Sequence, residues 1–155
     1  MNLKISLVIL LKISIGTNIK EGPWGGGNLF AINLKNYLTS MGHEVFHDLK
    51  QNDLDIILIT EPRRTSESSA FTDLDVRKYL SFVNKNCIVV HRINECDERK
   101  NTSNINQFYL NASSVANHVV FVSTWLRDIY LNIGMEKDKT SVILAGANKE
   151  IFNDK

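Results

Sequence analysis

Apolar runs of strand length alternate with segments of helical periodicity along this chain. The runs stay apolar at consecutive positions, which is typical of strands buried on both faces of a parallel sheet. This pattern predicts six strands, at residues 4–11, 43–47, 54–60, 87–91, 118–123 and 140–144. Apolar positions three or four residues apart predict four helices, at residues 29–41, 73–84, 103–116 and 124–133.

The alternation of strands and helices predicts both a fold class and a ligand-binding edge. We expect an α/β fold, a Rossmann-like three-layer sandwich whose mostly parallel sheet carries helices on both faces. Ligands bind such sheets outside the carboxyl ends of the strands. Residues that could carry chemistry gather after those ends: a glycine segment after the first strand, Glu61 after the third, and Ser123 and Trp125 after the fifth.

The glycine segment, residues 22–28, reads Gly-Pro-Trp-Gly-Gly-Gly-Asn and holds four of the chain's eight glycines. Asn28 is the predicted N-cap of the following helix. A helix that begins behind glycines offers unpaired N–H groups and a positive dipole end, which favour an anion such as a phosphate. Three contiguous glycines do not match the dinucleotide or nucleoside-triphosphate fingerprints, so a flexible turn without a ligand stays an alternative.

Composition and charge narrow the function classes. The length of 155 residues, with 43% apolar and 23% charged residues, fits one soluble globular domain. The formal net charge of +1 gives no argument for nucleic acid. Two cysteines without metal-ligand spacing favour a reducing, cytoplasmic setting. We interpret residues 3–15 as part of a buried strand and not as a targeting segment, because Lys12 interrupts them.

Acidic residues show no pattern that predicts a metal site. Asp53 and Asp55 precede a strand and therefore lie at the wrong edge of the sheet. Asp73 and Asp75 begin a helix, where the helix dipole explains them. The sequence therefore predicts no metal ion.

Residues 91–100, His-Arg-Ile-Asn-Glu-Cys-Asp-Glu-Arg-Lys, form the most polar segment, in which seven of ten residues are Asp, Glu, Lys, Arg or His. We expect His91 to be the last strand residue, with its ring directed into the ligand crevice. An imidazole there could act as acid, base or hydrogen-bond donor. Arg92 and Arg99 could hold a phosphate or a carboxylate. A solvated loop without a ligand is the alternative.

Five stretches, taken together, resemble a known family. The stretches are residues 22–30, 41–45, 89–95, 120–126 and 142–152. They resemble the N-terminal half of glycosyltransferases with the GT-B fold, close to glycosyltransferase family 4. The final stretch resembles the element that ends the first domain of such enzymes, with Asn148 where Asp is usual and Ala145 where Asn is usual.

The resemblance implies a role for each candidate residue. Gly25, Gly26 and Gly27 would approach the diphosphate of a nucleotide-sugar donor. His91 matches the histidine that lies against the transferred sugar and would be catalytic. No metal and no cofactor are implied, since the nucleotide sugar is a substrate. The acceptor side would be formed by Trp24, Arg92, Asn94, Glu95, Arg99, Ser123 and Trp125.

The resemblance also implies a domain organisation and a reaction. Residues 1–155 would be the acceptor-side Rossmann-like domain of a GT-B enzyme, without the donor-binding domain, which would be a second domain or a partner chain. The reaction would transfer a sugar from the nucleotide sugar to an acceptor hydroxyl, with retention at the anomeric carbon. The acceptor would be a glycan or a lipid-linked sugar; nothing in the sequence indicates a membrane surface. We expect the chain alone not to be a competent transferase.

Two other functions fit parts of the pattern. A non-catalytic α/β module that binds sugar or protein could keep this fold without the chemistry. A nucleotide-cofactor oxidoreductase would need an acidic residue after the second strand to hold a ribose. Glu44 and Asp48 are candidates there, but no proper glycine fingerprint accompanies them.

Overall fold

A computed structural model describes residues 9–22 and 24–146 of the protein. Three predictions fall partly outside these residues: the first half of the strand at residues 4–11, Pro23 of the glycine segment, and the end of the motif at residues 142–152. The chain divides into two compact units, and the boundary between them along the sequence falls between Val89 and Val90. Each unit is described by itself.

Six strands and five α-helices alternate along the described chain. The strands are β1 (Lys12–Ile15), β2 (Glu44–Phe46), β3 (Ile56–Ile59), β4 (Ile88–Ile93), β5 (His118–Phe121) and β6 (Thr140–Val142). The helices are α1 (Gly25–Ser40), α2 (Asp73–Phe82), α3 (Asp97–Lys100), α4 (Ile105–Ala112) and α5 (Thr124–Asn132). Single 3-10 turns lie at Ser113–Val115 and Lys137–Lys139.

The sheet is built from parallel neighbours, as predicted. The strand order is β2-β1-β3-β4-β5-β6. Lys12 is in register with Glu44 and Ile13 with Ile56, both in parallel pairs. The fold is therefore the predicted α/β, Rossmann-like class with a mostly parallel sheet, to which an isolated antiparallel bridge between Thr17 and Ser69 is added.

The first unit buries both faces of its strands. Ile13 and Ile15 point to the same face as Ile56 and Leu58, because paired residues of neighbouring strands share a face. Helix α1 covers this face with Ala31 and the partly buried Leu34 and Leu38. On the opposite face Ile57 and Ile59 are also buried. Burial on both faces explains the continuous apolar runs.

In the second unit one apolar cluster joins two strands to two helices. Ile93 is in register with Phe121, so the buried side chains of β4 and β5 share a face. Tyr109 of α4 and Leu126 and Tyr130 of α5 pack against them. His91 is in register with Val119 of this cluster, which places it on the same buried face.

Two predicted element boundaries were wrong. Residues 9–11, the described end of the first predicted strand, are not in a strand, and Ile9 and Leu10 are exposed. The first described strand begins at Lys12, whose ammonium donates to Asp53 at 2.6 Å. Lys12 was interpreted as an interruption because its partner lies far along the chain. Helix α1 begins at Gly25 and not at residue 29, so the contiguous glycines form its first turn and Trp24, not Asn28, is its N-cap.

The polar segment and its neighbours also differ from the prediction. Strand β4 continues to Ile93, two residues beyond the predicted end. Residues 92–100, interpreted as an irregular loop, contain helix α3. The residue after this helix, Asn101, is its C-cap and adopts the left-handed conformation, with φ of 51°. Helix α4 begins at Ile105, and the predicted helix end becomes the 3-10 turn at Ser113–Val115.

Candidate functional site

In the first unit, Gly26 and Gly27 at the start of α1 have no intramolecular explanation among the described residues. Gly25 adopts φ of +79°, which favours glycine. Gly26 and Gly27 are helical, and a methyl group added at either position meets nothing within 4 Å. Trp24 makes no side-chain cap bond, and the first turn carries no acidic residue. The helix start is therefore open to an external hydrogen-bond acceptor, with the positive end of the dipole behind it.

Asn28 and Lys20 fix the loop that leads into this helix. The Asn28 amide accepts a hydrogen bond from the Lys20 backbone N–H at 2.9 Å and donates one to the Lys20 carbonyl at 2.8 Å. The Lys20 ammonium lies 3.9 Å from the centre of the Trp24 ring and pairs with Glu67. The indole of Trp24 therefore contacts the loop through Lys20. It is nevertheless 56% exposed and so remains available to a ligand.

In the second unit, His91 is fully buried. Its ring stacks on Tyr109 with centroids 5.6 Å apart, and Nδ1 lies 2.8 Å from the Ser113 hydroxyl. Burial lowers the pKa of His91 to about 3, so the imidazole is neutral at physiological pH. Its Nε2 is buried and has no hydrogen-bond partner among the described residues. The expectation that His91 is the last strand residue was wrong, because β4 continues past it.

Asp97 organises the polar segment after β4. Its carboxylate accepts hydrogen bonds from the backbone N–H groups of Ile105 and Asn106, at 3.1 and 3.0 Å, and from the Thr102 hydroxyl. In turn, the side-chain oxygen of Asn106 accepts a hydrogen bond from the backbone N–H of Asp97. Desolvation raises the pKa of Asp97, but the hydrogen bonds from Asn106, Thr102 and Ile105 together lower it. Asp97 thus caps the start of α4 from outside the helix.

Glu95, Arg99 and Lys100 make contacts within the segment itself. The Glu95 carboxylate is mostly buried and meets the Lys100 ammonium at 2.5 Å. Arg99 donates to the Asn94 carbonyl at 3.1 Å. Arg92 lies within β4, where burial lowers the pKa of its guanidinium. These contacts give Asn94, Glu95 and Arg99 structural roles, whether or not they also contact a ligand.

Ser123 and Trp125 lie at the start of α5. The Ser123 hydroxyl accepts a hydrogen bond from the Leu126 N–H at 3.2 Å and so caps the helix. Trp125 is 54% exposed and could stack on a sugar. Arg127, which follows Ser123 by four residues in α5, was not predicted as a site residue. Its Nε is buried without a partner in the described part of the chain.

The predicted site residues thus fall into two groups. Trp24, Gly25, Gly26 and Gly27 belong to the first unit, and the other predicted site residues belong to the second. Ser113 and Asp97 were missed as supports of these groups. A serine five residues before a strand carries no sequence signal, and Asp97 lies eight residues before the start of α4, too far for a local N-cap pattern. That the two groups form one site stays a prediction.

Among the described residues there is no candidate for a metal site or for a membrane-spanning helix. Residues 9–22 and 24–146 contain no group of three or more His, Cys, Asp or Glu side chains placed to hold a metal ion. Among those same residues no helix is long and apolar enough to cross a bilayer.

Comparison with known proteins gives structural likeness alone. No family model and no curated protein matches the chain. Solved structures do match: Anabaena Alr3699/HepE in complex with UDP and glucose aligns with a TM-score of 0.59 at 14% identity, over 91% of this chain and 46% of that one. An α-glucosyltransferase in complex with UDP-glucose and DNA containing an abasic site aligns with a TM-score of 0.53 at 15% identity, over 86% and 42%.

These likenesses establish the fold of the chain. It has a Rossmann-like α/β architecture, which it shares with part of each of these two structures. The chain spans less than half the length of each of these two proteins.

Proposed function

We propose that the chain is the acceptor-side domain of a GT-B glycosyltransferase, close to glycosyltransferase family 4. It would help transfer a sugar from a nucleotide-sugar donor to an acceptor hydroxyl, with retention at the anomeric carbon. Support comes from the fold, which is shared with a protein whose solved complex contains UDP and glucose and with an α-glucosyltransferase in complex with UDP-glucose. The resemblance in five stretches of sequence points the same way.

The start of α1 carries this proposal. Glycine in a helix costs about 0.5–1 kcal/mol relative to alanine, and neither conformation nor packing requires it at Gly26 or Gly27. Close approach of another molecule to the backbone would explain both residues. Because the first turn offers N–H donors and a positive dipole end, the expected group is an anion, and the diphosphate of a nucleotide sugar fits.

The other predicted residues keep their proposed roles. His91 would contact the transferred sugar. The acceptor would be a glycan or a lipid-linked sugar, and the exposed rings of Trp24 and Trp125 suit stacking on it. A second GT-B domain or a partner chain would supply most of the donor contacts, and no metal would be needed. We place the protein in the cytoplasm.

Acceptor contacts would come from polar residues of the second unit as well. In this proposal they are Arg92, Asn94, Glu95, Arg99 and Ser123.

Calorimetric titration with UDP and UDP-glucose tests the donor assignment. We expect the wild-type chain to bind both and Gly26→Ala to bind at least tenfold more weakly, a loss of about 1.4 kcal/mol. Gly146→Ala is the matched control, since its added methyl group also meets nothing within 4 Å, and it should bind like wild type. Equal affinity of Gly26→Ala and wild type would contradict the assignment.

A non-catalytic sugar- or protein-binding module is the second candidate. The burial of His91 and the internal pairing of Glu95 with Lys100 favour it, because the described chain alone gives both a structural explanation. This candidate predicts no UDP binding, together with retained binding of a glycan or of a protein. The same titration, extended to acceptor glycans, therefore separates the two functions.

A further inference from the structure

The hydrogen bonds of Ser113 determine which nitrogen of His91 carries the proton. The Ser113 hydroxyl lies 2.8 Å from the Tyr109 carbonyl oxygen, which can only accept, so the hydroxyl proton is used in that bond. The same oxygen lies 2.8 Å from His91 Nδ1. With its only proton committed, Ser113 can only accept from the ring. His91 Nδ1 is therefore the donor.

This assignment leaves Nε2 as a lone-pair acceptor. A neutral imidazole has one N–H, and the buried ring of His91 is neutral because burial disfavours its charged form. No described residue donates to Nε2, although less than 1 Å² of that atom is accessible. Buried polar atoms are nearly always paired, so an unpaired acceptor points to a missing donor.

We propose that Ser113 is a positioning residue that fixes His91 in the Nδ1–H form, and that Nε2 accepts a hydrogen bond from a hydroxyl of the transferred sugar. The second half of this inference rests on the proposed transferase function. It decides among the roles that the sequence leaves open: His91 acts as an acceptor and not as a hydrogen-bond donor or acid. A phosphate oxygen would place its lone pairs against that of Nε2 and is excluded as the partner.

The surroundings of the ring support a fixed and uncharged state. Tyr109 of α4 stacks on the face of the His91 ring, and Ser113, in the 3-10 turn that directly continues α4, contacts one edge of it. Burial is the cause of the lowered pKa. Because less than 1 Å² of Nε2 is accessible, a ligand hydroxyl reaches it through a movement of neighbouring side chains.

Nuclear magnetic resonance of ¹⁵N-labelled histidine tests the first half without any ligand. We expect the wild-type spectrum to show His91 protonated at Nδ1 and bare at Nε2, unchanged from about pH 8 to about pH 5. Ser113→Ala should shift His91 toward the Nε2–H form, whereas Ser113→Thr, which keeps the hydroxyl, should restore the wild-type signal. Ser114→Ala is the matched control, because its hydroxyl bonds the Asn111 carbonyl instead.

The outcomes separate this inference from the proposed function. A wild-type His91 protonated at Nε2, or a Ser113→Ala spectrum identical to wild type, overturns the positioning role. Addition of UDP-glucose should then move the Nε2 resonance in the direction of an accepted hydrogen bond. If the glycine-segment amides respond but Nε2 does not, the hydroxyl contact is overturned. If neither responds, the proposed function fails while the positioning role stands on the ligand-free spectrum.

Discussion

For single residues, burial sets the charge state of His91 and makes folding depend on pH. The folded pKa of about 3 lies below the ordinary value of 6.5, so the unfolded chain takes up a proton that the folded chain refuses. Stability from this residue is complete above about pH 6.5 and is lost as the pH falls toward 3. Between pH 7 and pH 5, wild type should lose about 2 kcal/mol more unfolding free energy than His91→Gln.

Urea unfolding at the two pH values measures this difference. Burial also lowers the pKa of His47, which remains in both proteins and so cancels in the comparison. An equal loss in wild type and His91→Gln would mean that the folded protein protonates His91, which contradicts the buried, neutral ring.

Also at this scale, Asn28 should matter more than other asparagines of α1. Its amide makes two hydrogen bonds to the Lys20 backbone and the residue is 8% exposed, so Asn28→Ala leaves two partly buried backbone groups unpaired. We expect a loss of about 1–3 kcal/mol in unfolding free energy. Asn36→Ala, on the exposed side of the same helix, is the control and should change stability by less than about 0.5 kcal/mol.

The sequence predicted residue types better than residue environments. The glycines and His91 were singled out because unusual residues follow apolar runs, and the segments were placed correctly to within a few residues. The burial of His91 was not predictable, because it depends on Tyr109 and Ser113, which approach from a helix about twenty residues later. Pairing at such sequence separation leaves no local pattern.

At the scale of secondary-structure elements, the start of α4 depends on one carboxylate. Asp97 accepts from two backbone N–H groups of that helix start and from a hydroxyl. We expect Asp97→Ala to lower the unfolding free energy by about 1–2 kcal/mol, the range of a lost N-cap. Asp138→Ala, in the exposed 3-10 turn, is the control and should leave the unfolding midpoint unchanged. Similar midpoints for both variants would refute the capping role.

In the first turn of α1, one substitution should raise the stability of the chain and weaken its binding of UDP. Gly26→Ala should raise the unfolding free energy by about 0.5–1 kcal/mol, because alanine favours the helix and its methyl group meets nothing. The same variant is the one expected to lose UDP. Urea denaturation combined with the titration tests both effects, and a destabilised Gly26→Ala would show that the glycine has an intramolecular role after all.

Element boundaries show where periodicity fails. Capping chemistry favoured Asn28 as the start of α1, yet its side chain bonds the Lys20 backbone across eight residues, and the glycines enter the helix. The β1 error has a similar origin, since Lys12 looks like a break until its partners Asp53 and Asp55 are placed beside it. Alternation of strands and helices survives such errors, so the fold class was predicted even where boundaries were not.

For the whole molecule, the proposed chemistry requires more than this chain. A GT-B active site forms between two domains that close on the donor, and the chain spans less than half of each structural neighbour. The 155-residue chain should therefore bind UDP through the start of α1 yet release no measurable UDP from UDP-glucose. Hydrolysis measured by coupled detection of UDP gives the comparison, with a complete two-domain glycosyltransferase as the positive control. Turnover by the chain alone at the rate of that control would contradict the requirement for a second domain, because the acceptor-side half would then hold the whole catalytic apparatus.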